Sequence, residues 1–294
     1  MKTIMKHLSC AMRLTAAILV VFCLTAGAEA PTLKFNFTTI DVPGALETWV
    51  EGINNSGAMV GQYIDSSGHS HGFKLIGSKV TNIDDPNGGT SCEGINLKGD
   101  IVGYWVKSNA YPQAFLYKGG KFTDIGPAGA QYSAAFGIND KDYVAGYFAD
   151  SNNQLHGFLW NGKTYTTLGV PKASFTEAWG INNKAQVTVA WGDSAGNYEG
   201  AIYQNKKYTI VNVPGATDTI PHGIDTAGDI AFLWYDSANG LWHGALKHLG
   251  KFYKFDDPKA SASTFARGIN DHKVIVGNYA TAEGGDSNGF KATY

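Results

Sequence analysis

Gly52-Ile53-Asn54-Asn55-Ser56-Gly57-Ala58-Met59-Val60-Gly61-Gln62-Tyr63 is a phrase that the 294-residue chain repeats. Its opening tripeptide returns as Gly94-Ile95-Asn96, Gly137-Ile138-Asn139, Gly180-Ile181-Asn182, Gly223-Ile224-Asp225 and Gly268-Ile269-Asn270. The spacings are 42, 43, 43, 43 and 45 residues. A fixed period in this range marks a repeat architecture.

Each repeat reads as four short strands. In the first, Thr48–Asn54 is one strand, the turn Asn55-Ser56-Gly57 follows, and Ala58–Ile64 is the second. Asp65-Ser66-Ser67-Gly68 turns the chain into His71–Leu75, and Ile76-Gly77-Ser78 into Lys79–Asp84. A proline then ends the sheet, because it cannot donate to a ladder. Its counterparts are Pro43, Pro127, Pro171, Pro214 and Pro258 beside Pro86. A Ser or Thr stands four residues before each glycine (Thr48, Thr90, Ser133, Thr176, Thr219, Thr264), and an aromatic eleven residues after it (Tyr63, Trp105, Phe148, Trp191, Trp234, Tyr279). The third strand opens on steps such as His71-Gly72-Phe73, His156-Gly157-Phe158 and His243-Gly244-Ala245.

Four strands per 42–45 residues is the size of a propeller blade. The expected fold is all-β: a six-bladed β-propeller in one domain, residues 29–294. The last unit stops after its third strand, at Phe290–Tyr294, while Leu33–Asp41 matches a fourth strand. The N-terminal strand is therefore expected to complete the sixth blade and close the ring.

The first 28 residues carry a different pattern. Lys2, Lys6 and Arg13 precede an apolar run from Leu14 to Leu24, followed by Ala26-Gly27-Ala28. This is the layout of a cleaved signal peptide, with Ala28 preferred to Ala30 because Pro31 follows the latter. Phe22 before Cys23 disfavours a lipid anchor. The expected location is secreted, extracellular or periplasmic. Cleavage removes Cys10 and Cys23 and leaves Cys92 alone, so no intramolecular disulfide is expected. It leaves 20 basic residues against 25 acidic ones, a formal charge of −5. That balance, with no basic stripe, argues against nucleic acid. No second apolar stretch reaches membrane-spanning length.

The recurring Ile-Asn, turn glycine, Val-Gly strand and His-Gly-Phe resemble the extracellular HAF-repeat family. Ile53-Asn54 with Val60-Gly61, Ile95-Asn96 with Val102-Gly103 and Ile269-Asn270 with Val276-Gly277 match most fully. Gly72 stands where the family has alanine, and Val189 and Phe232 replace the strand-two glycine. The resemblance implies a secreted bacterial repeat protein and carries over no catalytic residue.

Residues needed six times read as packing, so the repeated isoleucines and aromatics are assigned to the core. The repeated asparagines are assigned to their turns. Asp65, Asp150, Asp193 and Asp236 open turns that lack the ligand alternation of a calcium loop, so no metal site and no cofactor are expected.

The informative positions are those that vary within a fixed frame. The residue before each repeat glycine runs Glu51, Glu93, Phe136, Trp179, His222, Arg267. Two positions earlier it runs Trp49, Ser91, Ala134, Glu177, Ile220, Phe265. In a propeller these slots ring the central channel at one mouth. Two functions stay open. One is a ligand-binding or surface-interaction propeller, with a polysaccharide as the partner and Trp49, Phe136, Trp179 and Phe265 as stacking residues. The other is a carbohydrate-active hydrolase or lyase using Glu51, Glu93, Glu177, His222 and Arg267. A third reading makes the same side chains a plug, with Glu and Arg paired.

Overall fold

A computed structural model describes residues 33–107, 111–282 and 285–294. The export-signal reading falls outside these residues. Those described form 24 strands in six four-stranded antiparallel sheets. Blade 1 runs Glu47–Ile53, Met59–Ile64, Ser70–Ile76 and Lys79–Asn82, from the axis outward. Blades 2 to 5 repeat this order and begin at Gly89, Tyr132, Thr176 and Asp218. Blade 6 comprises Thr264–Asn270, Val274–Ala280 and Ser287–Thr293, and its outer strand is the N-terminal Asn36–Ile40. Antiparallel pairing of Asn36 with Thr293 through Ile40 with Gly289 closes the ring. The molecule is a six-bladed β-propeller, closed as its sequence implies.

The fourth strand is shorter than the residue pattern suggests, ending at Asn82 and not Asp84. The Asp84 side chain accepts from the Gly72 amide at 3.2 Å, so a carboxylate takes over from the ladder there. The Ser/Thr at the start of each inner strand has a related role. Thr48, Thr90, Thr176, Thr219 and Thr264 accept, at 2.8–3.1 Å, the amide of the residue just before the repeat's proline. In blade 3 Ser133 accepts from Ala114 of the preceding blade instead.

The repeat glycine is required by close approach. A Cβ on Gly52, Gly94 or Gly137 would lie 2.6 Å from the carbonyl oxygen of Glu93, Phe136 or Trp179, in the next blade's inner strand. Real Cβ atoms do not sit so close, so only glycine lets six inner strands converge on one axis.

The repeat asparagine acts both within and between blades. Asn54 Oδ1 accepts from the Ser56 and Ala58 amides, holding the turn, while Nδ2 donates to Asn96 O at 2.9 Å in blade 2. Asn96, Asn139 and Asn182 donate to Asn139 O, Asn182 O and Asp225 O, and Asn270 donates back to Asn54 O. Asp225 interrupts this belt. Its Oδ1 still holds the turn through Gly228 and Asp229, but a carboxylate has no proton to donate. Burial raises its pKa, with Asp229 and Asp271 adding to the shift.

The Asp-Ser turns are held the same way. Asp65 Oδ1 accepts from the Ser67 and His69 amides at 2.8 Å, and Asp150 and Asp193 repeat the pattern. Three repeat aromatics stack on the cross-strand histidine of their own blade: Tyr63 on His71, Phe148 on His156 and Trp234 on His243, with centroids 4.7–5.4 Å apart. These contacts lie within a blade and add to the core packing expected of the aromatics.

Asp225→Asn is expected to complete the asparagine belt and stabilise the fold by about 1 kcal/mol. Thermal denaturation checks it: the melting temperature should rise. A fall would mean that the Asp225 carboxylate has a structural role of its own.

Candidate functional site

The inner strand of every blade breaks register just before the repeat glycine. Val50 pairs with Gly61 and Gly52 with Val60, which leaves Glu51 unpaired in a bulge. Cys92/Gly94, Ala135/Gly137, Ala178/Ile181, Pro221/Ile224 and Ala266/Ile269 bracket the same irregularity. A bulge re-aims the extra side chain. Here it places Glu51, Glu93, Phe136, Trp179, His222 and Arg267 together around a channel cavity of about 70 Å³. A second cavity of the same size lies at the asparagine end. Ile53, Ile95, Ile138, Ile181, Ile224 and Ile269 line both and stand between them, so the repeated isoleucines also divide the channel.

The ring residues hold one another. Arg267 Nε lies 3.3 Å from Glu51 Oε2, an ion pair without hydrogen-bond alignment, since neither atom has a hydrogen-bond partner. Arg267 Nη1 approaches His222 Nε2 at 3.5 Å. The His222 ring packs on Trp179 at 4.7 Å between centroids, and Trp179 on Phe136 at 4.3 Å. Ser91 Oγ donates to Glu93 Oε1 at 2.5 Å. Glu51 and Glu93 are 4% and 5% exposed, so their environment governs their charge. Burial, with the nearby Glu51, pushes Glu93 up to about 8. Burial also raises Glu51, against the opposing pull of Arg267. Burial, reinforced by Arg267, holds His222 well below the usual imidazole range.

The second slot lies elsewhere. Glu177 is buried outside the channel cavity; burial pushes it up to about 7, and the Trp179 indole opposes the shift. Trp49 and Phe265 also leave the channel. Alternation along a regular strand predicts one common height for both slots; the bulge between them separates them.

Trp49 and Phe265 line a groove of about 390 Å³ on blades 5, 6 and 1. Trp242, Ser263, Asn278, Ser287 and Arg267 complete its chemically active wall. Trp242 lies on the third strand of blade 5, with its backbone amide bonded to Ser263 Oγ at 3.1 Å. Asn278 is 1% exposed; its Nδ2 donates to Ser287 Oγ at 3.4 Å, and its Oδ1 has no partner. An orphaned buried acceptor costs about 1–3 kcal/mol, an expense that a ligand donor would remove. Arg267 belongs to both cavities. Trp242 and Asn278 were not among the expected site residues, yet each varies within a fixed frame. Trp242 stands where other blades have Ser70, Pro112, Leu155, Tyr198 and Ser287, and Asn278 where they have Gln62, Tyr104, Tyr147, Ala190 and Leu233. Among the described residues, no group of three or more His, Cys, Asp or Glu is placed to hold a metal ion.

A scan against models of protein families finds no match, and neither does a search of curated proteins. Solved structures do match. A fungal six-bladed propeller lectin from Aleuria aurantia, described for its fucose recognition mode, aligns with a TM-score of 0.53 at 14% identity. The alignment covers 86% of this chain and 93% of that one. The SapL1 lectin, solved with α-methyl fucoside, gives 0.55 at 13%, covering 83% and 92%. The propeller domain of the Trilobed protease from Pyrococcus furiosus gives 0.51 at 10%, covering 83% and 81%. The likeness is one of fold. Lectins and a protease domain share it, so function must be argued from the groove.

The sign of the ring's pH dependence follows from the raised carboxyls. A carboxyl whose folded pKa is raised contributes stability that is fully present below its unfolded value and lost as pH rises through the folded one. For Glu93 that window runs from 4.5 to about 8. The melting temperature is therefore expected to fall between pH 5 and pH 9, and Glu93→Gln to flatten the fall. An equal slope in both proteins would show that Glu93 does not carry it.

Proposed function

We propose that the chain is a sugar-binding propeller whose site is the groove of Trp49, Trp242, Phe265, Arg267 and Asn278. The groove itself carries this reading. Its volume falls within the roughly 300–1,000 Å³ of small-molecule sites. Three aromatic side chains offer flat apolar faces, which suit the C–H faces of a pyranose. The guanidinium and the unpartnered Asn278 oxygen supply a donor and an acceptor for ring hydroxyls. The lectins of the same fold support a carbohydrate ligand, and fucose is a natural first probe.

The channel ring is read as a closure. Its raised carboxyls would suit a general acid, as in the hydrolase or lyase alternative. A cavity of about 70 Å³ has room for water and not for a sugar ring. The signal-peptide pattern and the HAF-like repeats support export, with a polysaccharide outside the cytoplasm as ligand. No described helix is long and apolar enough to cross a membrane.

A glycan array followed by calorimetry tests this reading. Trp242→Ala is expected to weaken binding by about tenfold, the upper part of the range for a lost aromatic contact, with little change in melting temperature. Trp179→Ala should do the reverse, lowering stability and sparing affinity. Binding lost in Trp179→Ala but kept in Trp242→Ala would move the site to the channel. New reducing ends or unsaturated sugars on incubation with a bound glycan would establish the enzymatic alternative.

A further inference from the structure

We propose that the groove selects neutral over acidic sugars, and that Glu51 sets this preference by compensating the charge of Arg267 from the channel side. The inference rests on the sugar-binding reading above.

Among the described residues of the groove lining, Arg267 is the one that carries a charge. Taken alone, that wall suits a uronate, because a guanidinium binds carboxylates through two parallel hydrogen bonds. The rest of the guanidinium's surroundings reverse the expectation. From blade 1, Glu51 Oε2 stands 3.3 Å from Nε. From blade 5, His222 Nε2 stands 3.5 Å from Nη1, and burial keeps that imidazole uncharged. From blade 2, Glu93 contributes a further carboxyl, which also feels the arginine. Within the groove, Arg267 leans toward the Phe265 ring, with Cζ 5.7 Å from the centroid.

The guanidinium thus offers its remaining N–H groups as donors while its charge is already met by a buried carboxylate. Buried Coulomb pairs are poorly screened, so this compensation reaches the ligand. A sugar hydroxyl, carrying no net charge, loses far less by it than a carboxylate does. A uronate would bring a second carboxylate to an arginine already paired, at the cost of its own hydration. The other polar groups in the wall, Asn278, Ser263 and Ser287, are neutral and suited to hydroxyls. Glu51 never touches the sugar in this account; it acts as a positioning and charge-setting residue.

The test uses methyl glycosides in pairs that differ in the C6 substituent: glucose with glucuronate, galactose with galacturonate, mannose with mannuronate, and L-fucose with L-galacturonate. Calorimetry on the full chain should show the neutral member of the bound pair favoured by about tenfold or more, the scale of one charge-assisted hydrogen bond. Glu51→Gln should erase or reverse that ratio, chiefly through tighter uronate binding that weakens with added salt. Glu51→Asp should keep the wild-type preference. The wild-type protein supplies an independent arm should Glu51→Gln fail to fold. As pH falls from 8.5 to 5.5, Glu93, pushed up to about 8 by burial and the nearby Glu51, takes up a proton while the uronate stays ionised, so uronate affinity should rise and neutral-sugar affinity stay level. A wild-type preference for uronates, an unchanged ratio in folded Glu51→Gln, or uronate affinity flat across that pH range would overturn the inference. If no member of any pair binds, the sugar-binding reading falls, and this inference with it.

Discussion

Six inner strands can meet on one axis only where their backbones nearly touch. The repeat glycines provide that contact. Each faces the inner strand of the next blade, and a Cβ on the last, Gly268, would lie 3.1 Å from Glu51 O, which closes the circle. The residue before each glycine sits in a bulge and turns into the channel. The residue two after it is the asparagine, or Asp225, that holds the turn and in five blades reaches the next blade. Ring closure, channel lining and interblade belt thus depend on one tripeptide and its immediate neighbour.

This constraint also explains where binding chemistry can lie. Convergence brings six side chains of any type together at the mouth, and in this chain they satisfy one another by ion pairing and ring stacking. What remains near the axis is two small cavities divided by isoleucine. Away from the axis the blades diverge, and the spaces between them are filled or left open by residues the frame does not fix. Blades 4 and 5 fill theirs with Ile220 and Leu233, packed with Tyr198 and Trp179. At blades 5, 6 and 1 the corresponding space keeps aromatic walls, one arginine and a buried amide oxygen without a partner.

The blades, their number and the closing strand were legible in the sequence, because a period of 42 to 45 residues with turn glycines and prolines leaves few alternatives. The six ring residues were legible for the same reason: they vary where their neighbours do not. The bulge was not. Strand alternation alone puts Trp49 beside Glu51, and only an extra residue in the inner strand sends the two side chains into different cavities. Trp242 and Asn278 lie on the third and second strands, where the same comparison across repeats picks them out once those strands are included. The charge state of the ring was not legible, since it depends on burial, which a list of residue types does not give.

Crystals of residues 29–294 soaked with the best ligand of a glycan array provide the most direct test of the account. Sugar density is predicted against Trp242, between blades 5 and 6, with a hydroxyl within hydrogen-bond distance of Asn278 Oδ1 and the channel ring unmoved. Density over Trp179 at the channel mouth, with Glu51 and Arg267 parted to admit it, would contradict the account.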